Sequence, residues 1–96
     1  MPFELYRMPP RKKLYRAVFV NPQREDEEKI FKSAISKLKT VPEITLTTIQ
    51  TEPYSDYVEG KCPEGDFYIF LDADYGADIR AKSEKALDYV SSILTR

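Results

Sequence analysis

Histidine is absent from this 96-residue chain, and with it go the commonest general base and the commonest metal ligand. A single cysteine, Cys62, rules out an internal disulfide and fits a reducing compartment. Only three glycines occur (Gly60, Gly65 and Gly76), in no spacing that builds a phosphate-cradling loop. No run of about 18 apolar residues is present, so no membrane span is expected. The opening stretch MPFELYRMPPRKKLYR lacks the apolar core and small-residue cleavage site of a secretory signal. These absences lead to the expectation of a cytoplasmic protein that is not an enzyme and carries no cofactor. Two chemistries stay open to such a composition: a site built from carboxylates, and a lone thiol.

What is there describes a globular chain. Hydrophobic residues make up 42% and charged residues 32%, too apolar for a disordered segment. The length allows one domain with one core, burying roughly 60–65% of its unfolded surface. The net charge of −1 hides a split: residues 1–24 carry six Arg or Lys against one Glu, whereas residues 25–96 carry nine basic against fifteen acidic residues. Such a split suggests an N-terminal segment that meets an anion or an acidic protein surface, the alternative being a solvated basic turn.

Along the chain, Phe3 to Met8 reads as a short extended piece ended by Pro9-Pro10. Lys13 to Val20, rich in aromatic and β-branched residues, reads as a central strand that forms a hairpin with the first piece across PPRK. Asn21-Pro22 ends that strand and opens a helix, with Asn as cap and Pro at the first helical position. Ile30, Phe31, Ala34, Ile35 and Leu38 then recur on one helical stripe, which Val41-Pro42 stops. Glu43 to Glu52 is a Thr-rich strand in which Ile49 breaks the parity of Ile44 and Leu46, suggesting a bulge. Pro53 to Gly65 reads as a loop or long hairpin connection. Asp66 to Ala73 is the strongest strand, with Phe67, Ile69 and Leu71 on one face and Tyr68 and Phe70 on the other. A last helix is expected over Ala77 to Leu94, capped by Asp78, with a stripe of Ile79, Ala86, Leu87, Val90, Ile93 and Leu94.

The expected architecture is α+β: β-α-β-β-α, with or without an additional N-terminal strand, as an antiparallel sheet with both helices on one face. Residues 1–12 form a basic extension and residues 13–96 a single domain. The second sheet face is then bare, and Tyr15, Ala17, Phe19, Tyr68 and Phe70 would load it with apolar surface. Covering roughly 400 Å² of it is worth about 10 kcal/mol gross, much of which association costs cancel. A homodimer or heterodimer through the open face or a strand edge follows.

Three groups carry candidate chemistry. Asp72, Asp74 and Asp78 form a carboxylate cluster that could hold Mg²⁺ or, more plainly, cap the last helix; the plainer reading is favoured and no metal is assigned. Cys62 beside Lys61 has no imidazole to activate it and reads as a loop cysteine. Arg7, Arg11, Lys12, Lys13, Tyr15 and Arg16 mix cations for phosphates with rings for unstacked bases, which makes them candidates for nucleic-acid binding.

The last strand and helix resemble the small dimerising (Pcc-type) subunit of KEOPS, the complex that makes threonylcarbamoyl-adenosine in tRNA. The resemblance rests on a strand-end Ala73, the acidic turn Asp74 to Asp78, the pair Ile79-Arg80, and Leu87 and Val90 on the helix that follows. Glu84-Lys85 stands where that family has an Asn-Ser pair, Tyr75 where it often has Asp, and residues 1–12 are additional, which fits either a diverged paralogue or an unrelated domain of the same topology. The resemblance implies a non-catalytic adaptor that dimerises, docks its helices onto the threonylcarbamoyl transferase subunit and helps hold tRNA. On that pattern Ile79, Arg80, Leu87 and Val90, together with Tyr68 and Phe70 of the open face, would bind protein partners. The other reading is a small archaeal or viral interaction factor, an accessory subunit or inhibitor of a nucleic-acid-processing complex.

Overall fold

A computed structural model describes residues 3–74 and 76–96. Among these residues the elements are β1 (Leu5–Arg11), β2 (Leu14–Phe19), α1 (Glu27–Leu38), β3 (Thr45–Leu46), β4 (Gln50–Glu52), β5 (Ser55–Cys62), β6 (Gly65–Asp72), β7 (Gly76–Ala81) and α2 (Glu84–Leu94). The strands form one antiparallel sheet in the order β1-β2-β7-β6-β5-β3, with β4 also beside β5. The class is the expected one, α+β with an antiparallel sheet and two helices. The element order is not β-α-β-β-α: two strands precede α1 and five lie between the helices.

The first departure is at the N-terminus of α1. Asn21 does not cap it; its side chain brackets the preceding loop, accepting from Glu25 N at 2.9 Å and donating to Glu25 O at 2.7 Å. Asp26 is the cap, accepting from Glu28 N at 3.0 Å, with Glu27 and Glu28 in the positive first turn. The buried stripe is the expected Ile30, Phe31, Ala34, Ile35 and Leu38, and the helix stops before Val41-Pro42.

The second departure is β5, a strand where a loop was expected. Pro53, Gly60 and Pro63 disguise it, yet Ser55 to Cys62 pairs along its full length with β6. Gly60 is required there because the Phe67 ring lies over it: a Cβ at Gly60 would come within 2.2 Å of Phe67 Cζ. The Thr-rich segment is broken at Thr47–Ile49 into β3 and β4, in keeping with the parity break at Ile49.

The third departure matters most for function. Gly76–Ala81, expected as a turn and the start of a helix, is a strand paired on both sides, with β2 and β6. Ala77, Ile79 and Ala81 are buried at every second position, the strand period rather than the helical one. Helix α2 starts only at Glu84, capped by Ser83, whose Oγ accepts from Ala86 N at 3.1 Å; Asp78 caps nothing.

Both helices lie on one face. Ala17 and Phe19 of β2, Val58 and Gly60 of β5, Phe67 and Ile69 of β6, and Ala77, Ile79 and Ala81 of β7 share one parity and are all buried. They meet Phe31, Leu38, Leu87, Val90 and Leu94 of the helices in one core. Lys37 ties the C-terminal ends together by donating from Nζ to Leu94 O at 3.2 Å and Arg96 O at 3.0 Å.

The sheet edges are blunted. Residues 5–11, paired with β2 in the expected hairpin, are the β1 edge strand; it ends in Pro9-Pro10-Arg11, where neither proline has an N–H to offer a further strand. The opposite edge is two short pieces, β3 and β4, with a gap between them. No helix of the described residues is long and apolar enough to cross a membrane.

Candidate functional site: the open face of the sheet

The parity that buries Ala17, Ile69 and Ile79 under the helices sends Arg16, Val18, Tyr57, Tyr68, Phe70, Asp78 and Arg80 to the other side. Tyr57, Tyr68, Phe70, Arg16 and Arg80 are half-buried there by one another, and no element of the described residues lies over them.

Three planar groups on adjacent strands form a column. Arg80 of β7 sits over the Phe70 ring of β6, its guanidinium carbon 4.0 Å from the centroid. On the other side, Tyr57 of β5 stacks on Phe70 with centroids 5.1 Å apart and planes 20° from parallel. Tyr68 leans against the same ring at 6.2 Å. Cation–π and ring–ring contacts of this kind are worth about 0.5–1.5 kcal/mol each.

Asp78 organises the basic half. It is 7% exposed, and Arg80 Nε donates to both its carboxylate oxygens at 3.2 Å. Arg16 Nη2 is 3.8 Å from the nearer oxygen, an ion pair without a hydrogen bond. Burial pushes the Asp78 carboxyl above its ordinary range, against the pull of Arg80 and Arg16 and with a smaller push from the Asp72 charge.

Arg16 and Arg80 are register partners across β2 and β7, so two like charges stand directly opposite each other with one buried carboxylate between them. Beside them opens a basin of about 500 Å³, rimmed by Arg11 and Lys12 of the hairpin turn and walled by Met8 and Val18. Lys12 and Lys13 hold φ of 52° and 65°, the left-handed pair of a type I′ turn, where Asn-Gly is the relaxed choice. The tightest turn of the hairpin thus carries two ammonium groups on strained backbone.

The expected site residues separate. Ile79, Leu87 and Val90 are fully buried in the core and offer no surface to a partner; the reason is that Ile79 lies in a strand under the helices, not on a docking helix. Tyr68 and Phe70 do lie on the open face, and Arg80, expected beside a docking helix, lies there with them, on the side away from both helices. The basic N-terminal group comes together only in part: Arg11, Lys12 and Arg16 line the basin. Arg7 points to the helix side and pairs with Asp88 of α2, and Tyr15 packs against the core there, while Arg16 faces the other way and Arg11, Lys12 and Lys13 occupy the turn. Ala17 and Phe19, expected on the bare face, are buried under the helices.

Of the carboxylate cluster, Asp72 and Asp78 stay together on the basin. Asp78 is held by arginines, and Asp72 Oδ1 accepts from Asp74 N at 2.8 Å in the β6–β7 turn. Among the described residues no group of three or more such side chains is placed to hold a metal ion. Cys62 Sγ lies 3.2 Å from Gly65 O at the β5–β6 turn. Tyr75, at which the chain departs from the KEOPS subunit pattern, lies outside the described residues.

Tyr57 and the opposition of Arg16 to Arg80 were missed from the sequence. The alternation Tyr57, Glu59, Lys61 around Val58 was a usable signal for a half-buried strand, masked by the nearby prolines and glycine. The arginine opposition depends on the register of two strands sixty residues apart and has no local signal. No protein-family model, curated protein or solved structure matches the chain.

Proposed function

We propose that this chain is a cytoplasmic, non-catalytic accessory subunit of a nucleic-acid-processing assembly. The assembly suggested by the resemblance is the tRNA-modifying, threonylcarbamoyl-adenosine-forming one. The observation that carries the reading is the two-sided architecture: a helical layer on one side, and on the other an uncovered sheet face of guanidinium and aromatic groups. With both strand edges blunted, the two layers are the surfaces left for partners. Docking by the helices falls to their outward sides, since the inward stripes of α1 and α2 are spent on the core. On α2 that outward stripe runs through the exposed Lys85, Asp88 and Ser92.

Affinity purification of the tagged chain tests this. A threonylcarbamoyl transferase subunit is expected among the recovered proteins, and Lys85→Glu combined with Ser92→Arg should lose it without changing the circular dichroism. Purification of a well-folded chain that brings down no tRNA-modifying enzyme refutes the assignment to that assembly.

A further inference from the structure

We infer that the open sheet face binds an unpaired nucleic-acid strand, with a phosphate drawn to Arg16 and Arg80 and bases stacked along the Tyr57–Phe70–Arg80 column. The inference rests on the reading above only for the choice of surface, and names what that surface holds.

Charge is the first argument. The basin brings Arg11, Lys12, Arg16 and Arg80 together against Asp72 and Asp78, a local excess of cations in a chain whose net charge is −1. Asp78 is buried beneath the arginines and has committed both oxygens to Arg80 Nε. Arg16, directly opposite, stands 3.8 Å from that carboxylate, too far to donate a hydrogen bond to it. A second anion above the pair relieves the repulsion between the two guanidinium groups, whose planar donor forks match phosphate oxygens.

Shape is the second argument. The column ends in Tyr57 on the β5 side and in Arg80 at the basin, with contacts of 5.1 and 4.0 Å between its members. A base added at either end continues a stack whose spacing already suits π-faces. Arg80 belongs both to the stack and to the phosphate basin, so a base and its own backbone fit the surface together. In a duplex the stacking of neighbouring base pairs hides those faces, so the strand has to be unpaired. A second copy of the chain would bring its own Arg11, Lys12, Arg16 and Arg80 against these four. An acidic peptide would use the cations but leave the column without a matching plane.

Fluorescence anisotropy with a labelled ten-nucleotide oligouridylate tests the inference on the full chain. Saturable binding is expected at low salt, with log K falling against log salt at about −0.7 per phosphate contacted. Oligothymidylate of equal length should bind equally, and the uridylate annealed to oligoadenylate at least tenfold more weakly. Tyr57→Ala should weaken binding by about five- to a hundredfold, the range for one stacked base. Arg11→Glu, on the exposed turn where folding is not at stake, should weaken it several-fold and flatten the salt slope. The same variants should still recover the protein partner. No binding at low salt, undiminished binding to the duplex, equal affinity for a polyglutamate peptide, or indifference to both substitutions overturns the inference. Its failure with the transferase still recovered leaves the accessory-subunit reading standing; recovery of no partner with oligonucleotide binding intact does the reverse.

Discussion

The two faces of this sheet are built from alternate residues of the same strands, yet they follow different physical rules. The helix side is small and aliphatic where the layers approach: Ala17, Gly60, Ala77 and Ala81 allow the helices in, and Phe67, Ile69 and Ile79 fill the space. The open side has few aliphatic side chains. It is covered by its own rings and by arginines, Arg80 lying over Phe70 and both arginines paired with buried Asp78. One face gains by excluding water, and the other by arranging planar and charged groups that a ligand can join. The contrast shows how one set of strands presents a packed face and an uncovered one by alternation alone.

The sharpest way to break this comparison is to truncate one residue on each face. Leu87→Ala, at a fully buried helix position, is expected to cost about 2–5 kcal/mol in chemical denaturation. Tyr57→Ala should cost about 1 kcal/mol, mainly the lost stack on Phe70. Equal costs would mean that the open face is a second core. Next in size, Gly60→Ala forces the buried Phe67 ring to move and should cost about 1–3 kcal/mol, a test of how tightly β5 and β6 are locked.

A smaller effect checks where the last helix begins. Ser83→Ala removes the cap of α2 and should lower stability by about 1 kcal/mol. An equal loss of helix stability in Asp78→Ala, by helical circular dichroism, would return the helix start to residue 77.

The smallest expected effect concerns pH. Because burial raises the Asp78 pKa in the folded chain above its ordinary 3.8, the fold holds this proton more tightly than the unfolded chain does. Ionised Asp78 therefore subtracts stability above its folded pKa, and the loss is recovered as pH falls through that value toward 3.8. The stability of the native chain minus that of Asp78→Asn should rise as pH is lowered from 7 to 4. A difference that falls over this range would show the two arginines outweighing burial.

Much of the closed face was legible. The stripe of α1, its stop at Val41-Pro42, the two-faced alternation of Asp66 to Ala73 and the N-terminal hairpin all rest on local periodicity and local turn chemistry, and each is present. The misplaced elements are those where local signals conflict with the environment. Ser55 to Cys62 contains Gly60 next to Pro53 and Pro63, a loop signature that pairing with β6 overrides. Gly76 to Ala81 has small residues that suit a helix, and becomes a strand because β2 and β6 each supply a ladder.

The open site was legible only in pieces. Tyr68 and Phe70 follow from alternation alone, Arg16 was noticed for its chemistry, and Arg80 entered only through the family resemblance. Alternation parts Tyr15 from Arg16, but nothing local places Arg16 opposite Arg80, or Tyr57 against Phe70, or Arg7 on the face away from Arg16.

By itself the sequence determined an amphipathic pair of helices, a two-faced central strand and a chain without imidazole, because periodicity and composition act within a few residues. The tertiary structure decided which side chains share a face and which meet across strands. That choice depends on the register of segments distant in the chain, and a slip of one residue would send the arginines and rings into the core.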